Sequence, residues 1–314
     1  MRERGRFMPG GVLALALAMG VASPRGARGQ AAKPCVPGSS IRTCVDQLQP
    51  NAWVFRGQAG SVVLYSGQLE AIVVGVPDVD VIDSLASFIR ARKLAPVKRM
   101  IVFDAPAPAL LRAVHLAGDS VSVFVHERVR ERLASRVAVD TTGAVLPMGF
   151  SDVIQLTLEG EEIHAVHQPT GYASSDLLVH FERSGIVVFG LAVTSGSYPE
   201  VNAARAGDIN GIIASVDRFV KYAGRSTFVP GRGAPMNAKD LSAYHAALIQ
   251  VRDAISALVA RGGSLESALA IVHLRLLPAL TPQDQLAERG LVTSAYNAAV
   301  ANKSGHPVAP EDQR

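Results

Sequence analysis

His164 and His167 stand three apart in the run Glu161–Gln168, and Asp176 follows close behind them. Imidazole and carboxylate side chains are the usual oxygen and nitrogen ligands of a divalent metal. On a strand, a spacing of three sends two side chains to opposite faces, which disfavours joint ligation. The other reading is one surface histidine and one packed histidine. Asp104 closes the apolar run Lys98–Phe103. Functional groups collect at the carboxyl ends of buried strands, but an aspartate there can equally cap a helix starting in the Pro-rich turn that follows. Ser66, Ser174, Ser175 and Ser195 lack the Gly-x-Ser-x-Gly surroundings that expose a hydrolase nucleophile. Gly231-Arg232-Gly233 is too short to specify a phosphate loop. His115, His126, His180, His245 and His273 read as ordinary surface or packed groups. Arg128, Arg130, Arg132 and Arg136 alternate with Glu127 and Glu131, the pattern of a solvated helix face.

Composition narrows the setting. The chain has 314 residues, 48% hydrophobic and 18% charged, with only 5% aromatic and a mean hydropathy of +0.22. That excludes a disordered chain and implies a large core built from Val, Leu, Ile and Ala. The formal net charge is +4. Arg2, Arg4, Arg6, Arg25 and Arg28 against Glu3 account for all of that excess within residues 1–31, so the body is charge-balanced. A general electrostatic footprint for nucleic acid is therefore lacking.

The same N-terminal residues have the organisation of an export signal. Arginines precede a small apolar run from Met8 to Ala22, and small residues follow. Cleavage fits after Ala22 or near Ala31, with an uncleaved anchor as the alternative. The expected location is periplasmic or extracellular, with membrane association through this segment or through a partner. Cys35 and Cys44 are the chain's two cysteines. In an oxidising compartment they are expected to pair, closing a short loop worth roughly 2–3 kcal/mol at most, with free thiols as the alternative.

The elements that position these residues fall into two similar halves. Alternation and Gly punctuation predict strands in residues 51–57, 61–67 and 70–77. A helix over 79–93, a strand over 98–103, a helix over 109–117, a strand over 120–126 and a helix over 127–137 follow. The second half repeats the order, with strands over 152–160, 161–168, 175–182 and 185–191. A long loop then leads to a helix over 208–223, a strand over 226–230 and the turn Pro230-Gly231-Arg232-Gly233. Helices over 238–262, 264–272 and 284–300 complete the chain, and the last residues, from Lys303, are expected to fray. Strand groups each followed by helices predict an α+β, four-layer αββα sandwich. The expected organisation is a signal or anchor over 1–31, an N-terminal segment over 32–50, one domain over 51–300 and a flexible tail over 301–314.

This order, and above all the stretches 174–191 and 207–255, resembles the metallo-β-lactamase fold superfamily of hydrolases. The resemblance implies one or two metal ions held by a His-x-His-x-Asp-His loop after a buried strand, then by a later His, an Asp and a final His. Aligned on that pattern, Ala105, Ala107, Ala109 and Leu110 fall in the first motif, where no side chain can coordinate. Tyr172 stands for the next His, Leu191 for the Asp and Arg232 for the last His. The resemblance thus implies the family's fold without its metal ligands, so that no catalytic residue, metal or cofactor is assigned. Asp104, Tyr172 and Arg232 are expected to face the vestigial pocket, with an Arg232–Asp104 ion pair as a structural plug, or Arg232 as a fork for a carboxylate or phosphate. The loop Ser195–Gly207, apolar at Tyr198, Pro199 and Val201, is either a contact surface or packed on its own sheet.

The expected function is a non-catalytic exported protein that binds or assists a protein partner in the cell envelope. Two other classes stay open: a divergent hydrolase with a relocated metal site at His164, His167, Asp104 and Asp176, and a small-ligand binder using Tyr172 and Arg232.

Overall fold

A computed structural model describes residues 43–57, 60–75, 79–104, 120–137, 147–222, 224, 226–273 and 282–304. The export signal, Cys35, the loop bearing Ala105, Ala107, Ala109 and Leu110, the helix expected over 109–117 and the end of the tail lie outside them.

Two sheets form the centre. The larger runs in the spatial order β1 (Cys44–Gln49), β2 (Ala52–Arg56), β3 (Ser61–Ser66), β4 (Ala71–Gly75), β5 (Val97–Val102), β6 (Ser122–His126) and β7 (Met148–Phe150). Its first four strands are an antiparallel meander, and β5, β6 and β7 then add in parallel. Helix α1 (Val79–Arg92) connects β4 to β5, and α2 (Glu127–Val137) follows β6. The smaller sheet holds β8 (Val153–Leu158), β9 (Glu161–Gln168), β10 (Asp176–Phe181) and β11 (Ile186–Phe189) as a meander, with β12 (Thr227–Val229) parallel to β11. Helix α3 (Ile209–Tyr222) makes that last crossover. The two halves therefore repeat one plan, a meander followed by a strand–helix–strand unit. Helices α4 (Ala238–Ala260), α5 (Leu265–His273) and α6 (Pro282–Lys303) complete the chain.

Burial shows why the layers stack. On β2, Val54 faces the interior between the sheets, while Trp53 and Phe55 meet Phe88 of α1 edge-on at centroid distances of 5.5 and 5.1 Å. In the smaller sheet, Leu177, Val179 and Phe181 join the core between the sheets, whereas Leu178, Val187 and Phe189 pack with Val216 of α3 and Leu241 of α4. A strand covered on both faces reads as an unbroken apolar run, which is what β11 is; β10 is apolar from Leu177 to Val179 and is interrupted by His180. The architecture is the αββα sandwich expected.

Three details differ from the sequence reading. Residues 44–49, expected within a separate N-terminal segment, are an edge strand of the larger sheet. Residues 148–150 add a short strand at its other edge, too brief for any periodicity to reveal. Helix α6 runs to Lys303, whose ammonium donates to the carbonyls of Val259 and Ala260 at 3.0 and 3.3 Å. Those carbonyls end α4, Val259 also accepting the N–H of Gly262 at 3.0 Å, and a lysine there complements the negative end of the helix dipole. Among the described residues, no helix is long and apolar enough to cross a membrane.

Candidate functional site

The site is built around Asp104, two residues beyond β5. Its side chain is fully shielded from solvent, a costly position for a carboxylate unless it is paired and hydrogen-bonded. Three donors converge on it. Arg132 of α2 reaches Oδ1 through Nη2 at 2.5 Å, Arg205 reaches Oδ2 through Nη1 at 2.6 Å, and the Ser175 hydroxyl donates to Oδ2 at 2.5 Å. Arg205 stands in the single 3₁₀ turn Ala203–Arg205 of the long loop after β11. Its Nη2 donates to the Tyr172 hydroxyl at 3.1 Å, and its guanidinium lies 5.3 Å from the centre of that ring. The Asn202 amide, turned with its oxygen toward Arg205, accepts from Nε at 3.0 Å and from Nη2 at 3.1 Å. Burial pushes the Tyr172 phenol above its ordinary pKa, so it is un-ionised here. Arg205 is thus held through all three of its nitrogens, and the cluster is a polar knot that joins the larger sheet, α2 and two loops.

A second pair of groups borders the knot. His126 ends β6 and His167 lies near the end of β9; their ring centroids are 4.0 Å apart. Each Nε2 donates to a carbonyl, His126 to Ser151 at 3.1 Å and His167 to Ser174 at 2.8 Å. His126 Nδ1 accepts the backbone N–H of Arg128 at 3.2 Å. Arg128 Nη1 in turn lies 3.4 Å from the Ser174 carbonyl. Burial, and then the neighbouring His167, lowers the pKa of His126 to about 4, and burial lowers that of His167.

Asp176 completes the loop beside the knot. Buried at the start of β10, its carboxyl accepts the N–H of Tyr172 at 3.1 Å and of Leu177 at 3.0 Å. Two glycines make its room: a Cβ on Gly190 would stand 1.9 Å from Oδ1, and one on Gly171 would stand 2.8 Å from Oδ2. Burial raises its pKa to about 7.

These two shifts act on stability with opposite signs. Between roughly pH 6.5 and 4 the unfolded chain takes up a proton that folded His126 refuses, so its contribution is lost as pH falls through that window. Between roughly pH 4 and 7 the folded state holds a proton on Asp176 that the unfolded chain has released, so that contribution is lost as pH rises. In His126→Asn, unfolding followed from pH 4 to 7.5 is expected to show a smaller loss on the acid side than in the unaltered protein.

The remaining sequence candidates take other places. His164 lies on the opposite side of β9 from His167, between Glu162 at 3.8 Å and Glu182 at 3.9 Å. His167 and Asp176 are near the knot without forming a ligand set with His164. Leu191 is buried in the core between the sheets. Arg232 does not pair with Asp104; it binds Glu200 at 2.6 Å. The reason lies in its turn, whose backbone is bridged to residues 194 and 195 and so carries the side chain toward the 200 loop.

Arg205 was not singled out from the sequence, and Ser175, His126 and Arg132 read there as an unactivated serine, an ordinary histidine and part of a solvated helix face. Arg128 and Arg132 are half-buried, whereas Arg130 and Glu131 are exposed, so the helix face read as solvated is divided. The signal for Arg128 and Arg132 was their spacing of four, which places them on one side of a helix. For Arg205 it was a lone cation in a loop otherwise almost uncharged.

Comparison with solved structures identifies the architecture. A metallo-β-lactamase from Pontibacter korlensis matches with a TM-score of 0.51 and 16% identity, over 66% of this chain and 98% of that one. The DIM-1 metallo-β-lactamase matches with a TM-score of 0.54 and 13% identity, over 67% and 98%. TMB-1 gives 0.54 and 14%, over 67% and 98%. The chain has the metallo-β-lactamase fold. No protein-family model matches the sequence, and no curated protein does either.

The residues present do not suit the zinc that this fold implies. Among the described residues no group of three or more His, Cys, Asp or Glu side chains is placed to hold a metal ion. Residues 105–110, in the loop where the first ligands would stand, are Ala, Pro and Leu. Asp104 is enclosed by two guanidinium groups, whose charge repels a cation. His126 and His167 direct their Nε2 atoms at carbonyls.

Proposed function

We propose that this protein is an exported, non-catalytic representative of the metallo-β-lactamase fold that acts as a binding or accessory subunit in the cell envelope. One observation carries the non-catalytic part of this reading. Where the fold's ligand loop begins, a buried carboxylate is compensated by Arg132, Arg205 and Ser175 rather than left for a metal. Such a knot contributes rigidity between the layers and gives no open coordination position for an activated water. The arginine-flanked apolar run before Ala22 supports export. The charge-balanced body favours a protein partner over a polyanion.

The test is a hydrolysis panel. The mature protein, supplied with one equivalent of zinc, manganese or iron, is assayed against a chromogenic cephalosporin, a thioester and a phosphodiester. Rates equal to those of the metal blank are expected for all three. A rate above the blank that a chelator abolishes would overturn the reading.

A further inference from the structure

A cavity of about 300 Å³ opens between the loop 194–199, α4 and α6. Leu191, Tyr172, Asp104 and Arg232 are not among its lining residues, so it is distinct from the polar knot. Its wall is apolar and aromatic at Tyr198, Met236, Tyr244, Leu248 and Leu291. Tyr244 is fixed there by donating its hydroxyl to the Ala192 carbonyl at 2.8 Å.

The charges around this wall have one sign. Asp240 lines the cavity from the first turn of α4. Ser197, also in the lining, hydrogen-bonds the Asp284 carboxylate. Glu288 lies against the Tyr198 hydroxyl from α6. No Lys, Arg or His is among the lining residues. Arg232, whose backbone bridges to Thr194, has its charge met by Glu200 at 2.6 Å. A mostly apolar cavity with a few convergent polar groups is the usual form of a small-molecule site. Carboxylates at its edge disfavour anions, and aromatic rings beside carboxylates are the combination by which proteins hold organic ammonium groups.

We infer that this cavity binds a small organic cation, an ammonium group carried on an aromatic or branched aliphatic body. The apolar body occupies the space against Leu248 and Leu291, and the cation faces Asp240 and the loop. This inference is independent of whether the knot has lost its metal.

Binding is measured on the mature protein by calorimetry with three probes: benzyltrimethylammonium, the neutral N-tert-butylbenzamide and the anionic 4-tert-butylbenzoate. The cation is expected to bind saturably and about tenfold more tightly than the amide, and the benzoate not at all. Asp240→Asn, which keeps an oxygen able to accept the Asn237 N–H of the helix cap, should weaken the cation about threefold and leave the amide unchanged. Ala247→Phe, which fills the cavity from α4, should remove binding of both. Absence of saturable binding to the unaltered protein, or binding of the amide or the benzoate as tight as that of the cation, would overturn the proposal.

Discussion

Asp104→Ala should lower the stability of the folded protein by about 2–4 kcal/mol, a loss of roughly 5–12 °C in midpoint for a domain of this size. Three groups lose their shared acceptor at once. Arg205 is the most affected, because its loop is attached to the larger sheet through Asp104 and to Tyr172 through its second nitrogen. Breaking one side of a buried, hydrogen-bonded ion pair is costly because the partner's charge is left uncompensated. Arg132 retains partial solvent access, with 37% of its side chain exposed, which places the effect below the upper end for fully buried pairs. Arg205→Ala should cost less, since Asp104 keeps Arg132 and Ser175. The double variant should lose less than the sum of the single losses, by about 1 kcal/mol or more. Chemical denaturation of the four proteins measures all of this. Additive losses would show that the two side chains do not act as a unit.

Gly190→Ala is expected to be of similar severity, about 3 kcal/mol or more, for a different reason. Gly190 needs no unusual backbone; it needs the absence of a Cβ, because Asp176 Oδ1 occupies that space at 1.9 Å. The Asp176 carboxyl is itself held by the N–H groups of Tyr172 and Leu177, so it has little freedom to retreat. Asp176→Ala alone should also destabilise, by about 1–3 kcal/mol, through two N–H groups left without that acceptor. Combined with Gly190→Ala, however, it removes the obstruction. The double variant should therefore be clearly more stable than the sum of the two losses predicts. If the effects add, steric exclusion at Gly190 is not the cause.

Much of the fold was legible in the chain because each element carries its own periodicity. The double-faced strands β10 and β11 carry the apolar runs Leu177–Val179 and Ile186–Phe189, and α1 read as a helix from the spacing of Val81, Ile82, Leu85, Phe88 and Ile89. The knot was much less legible. Asp104 stood out as a carboxylate at the end of a buried strand. Its partners come from 28 and 101 positions away, and no local pattern couples such distances. The resemblance to the hydrolase superfamily pointed to Arg232 as the partner, since that residue stands in a ligand position. A ligand position marks where a backbone lies; the direction of the side chain depends on what the turn is bridged to, and here the bridges at 194 and 195 send Arg232 to Glu200. The helix face of α2 misled in a related way. Alternating charges look solvated until one side of the helix turns inward, as it does here with Arg128 at the Ser174 carbonyl and Arg132 at Asp104.

A polar hollow between two packed sheets destabilises unless it is filled and its buried groups are satisfied. Here Arg132, Arg205 and Ser175 satisfy the Asp104 carboxylate, and the N–H groups of Tyr172 and Leu177 satisfy Asp176.

We propose that the knot stands where the fold would hold a metal, and elemental analysis of the mature protein, purified from its native envelope without chelators, decides it. Less than about one-tenth of an ion of zinc, iron or manganese per chain is predicted, because Asp104 is paired with Arg132 and Arg205 and, among the described residues, no group of three or more His, Cys, Asp or Glu side chains is placed to hold a metal. Near-stoichiometric metal would contradict the account, and would direct mutation first to His164, His167, Asp104 and Asp176.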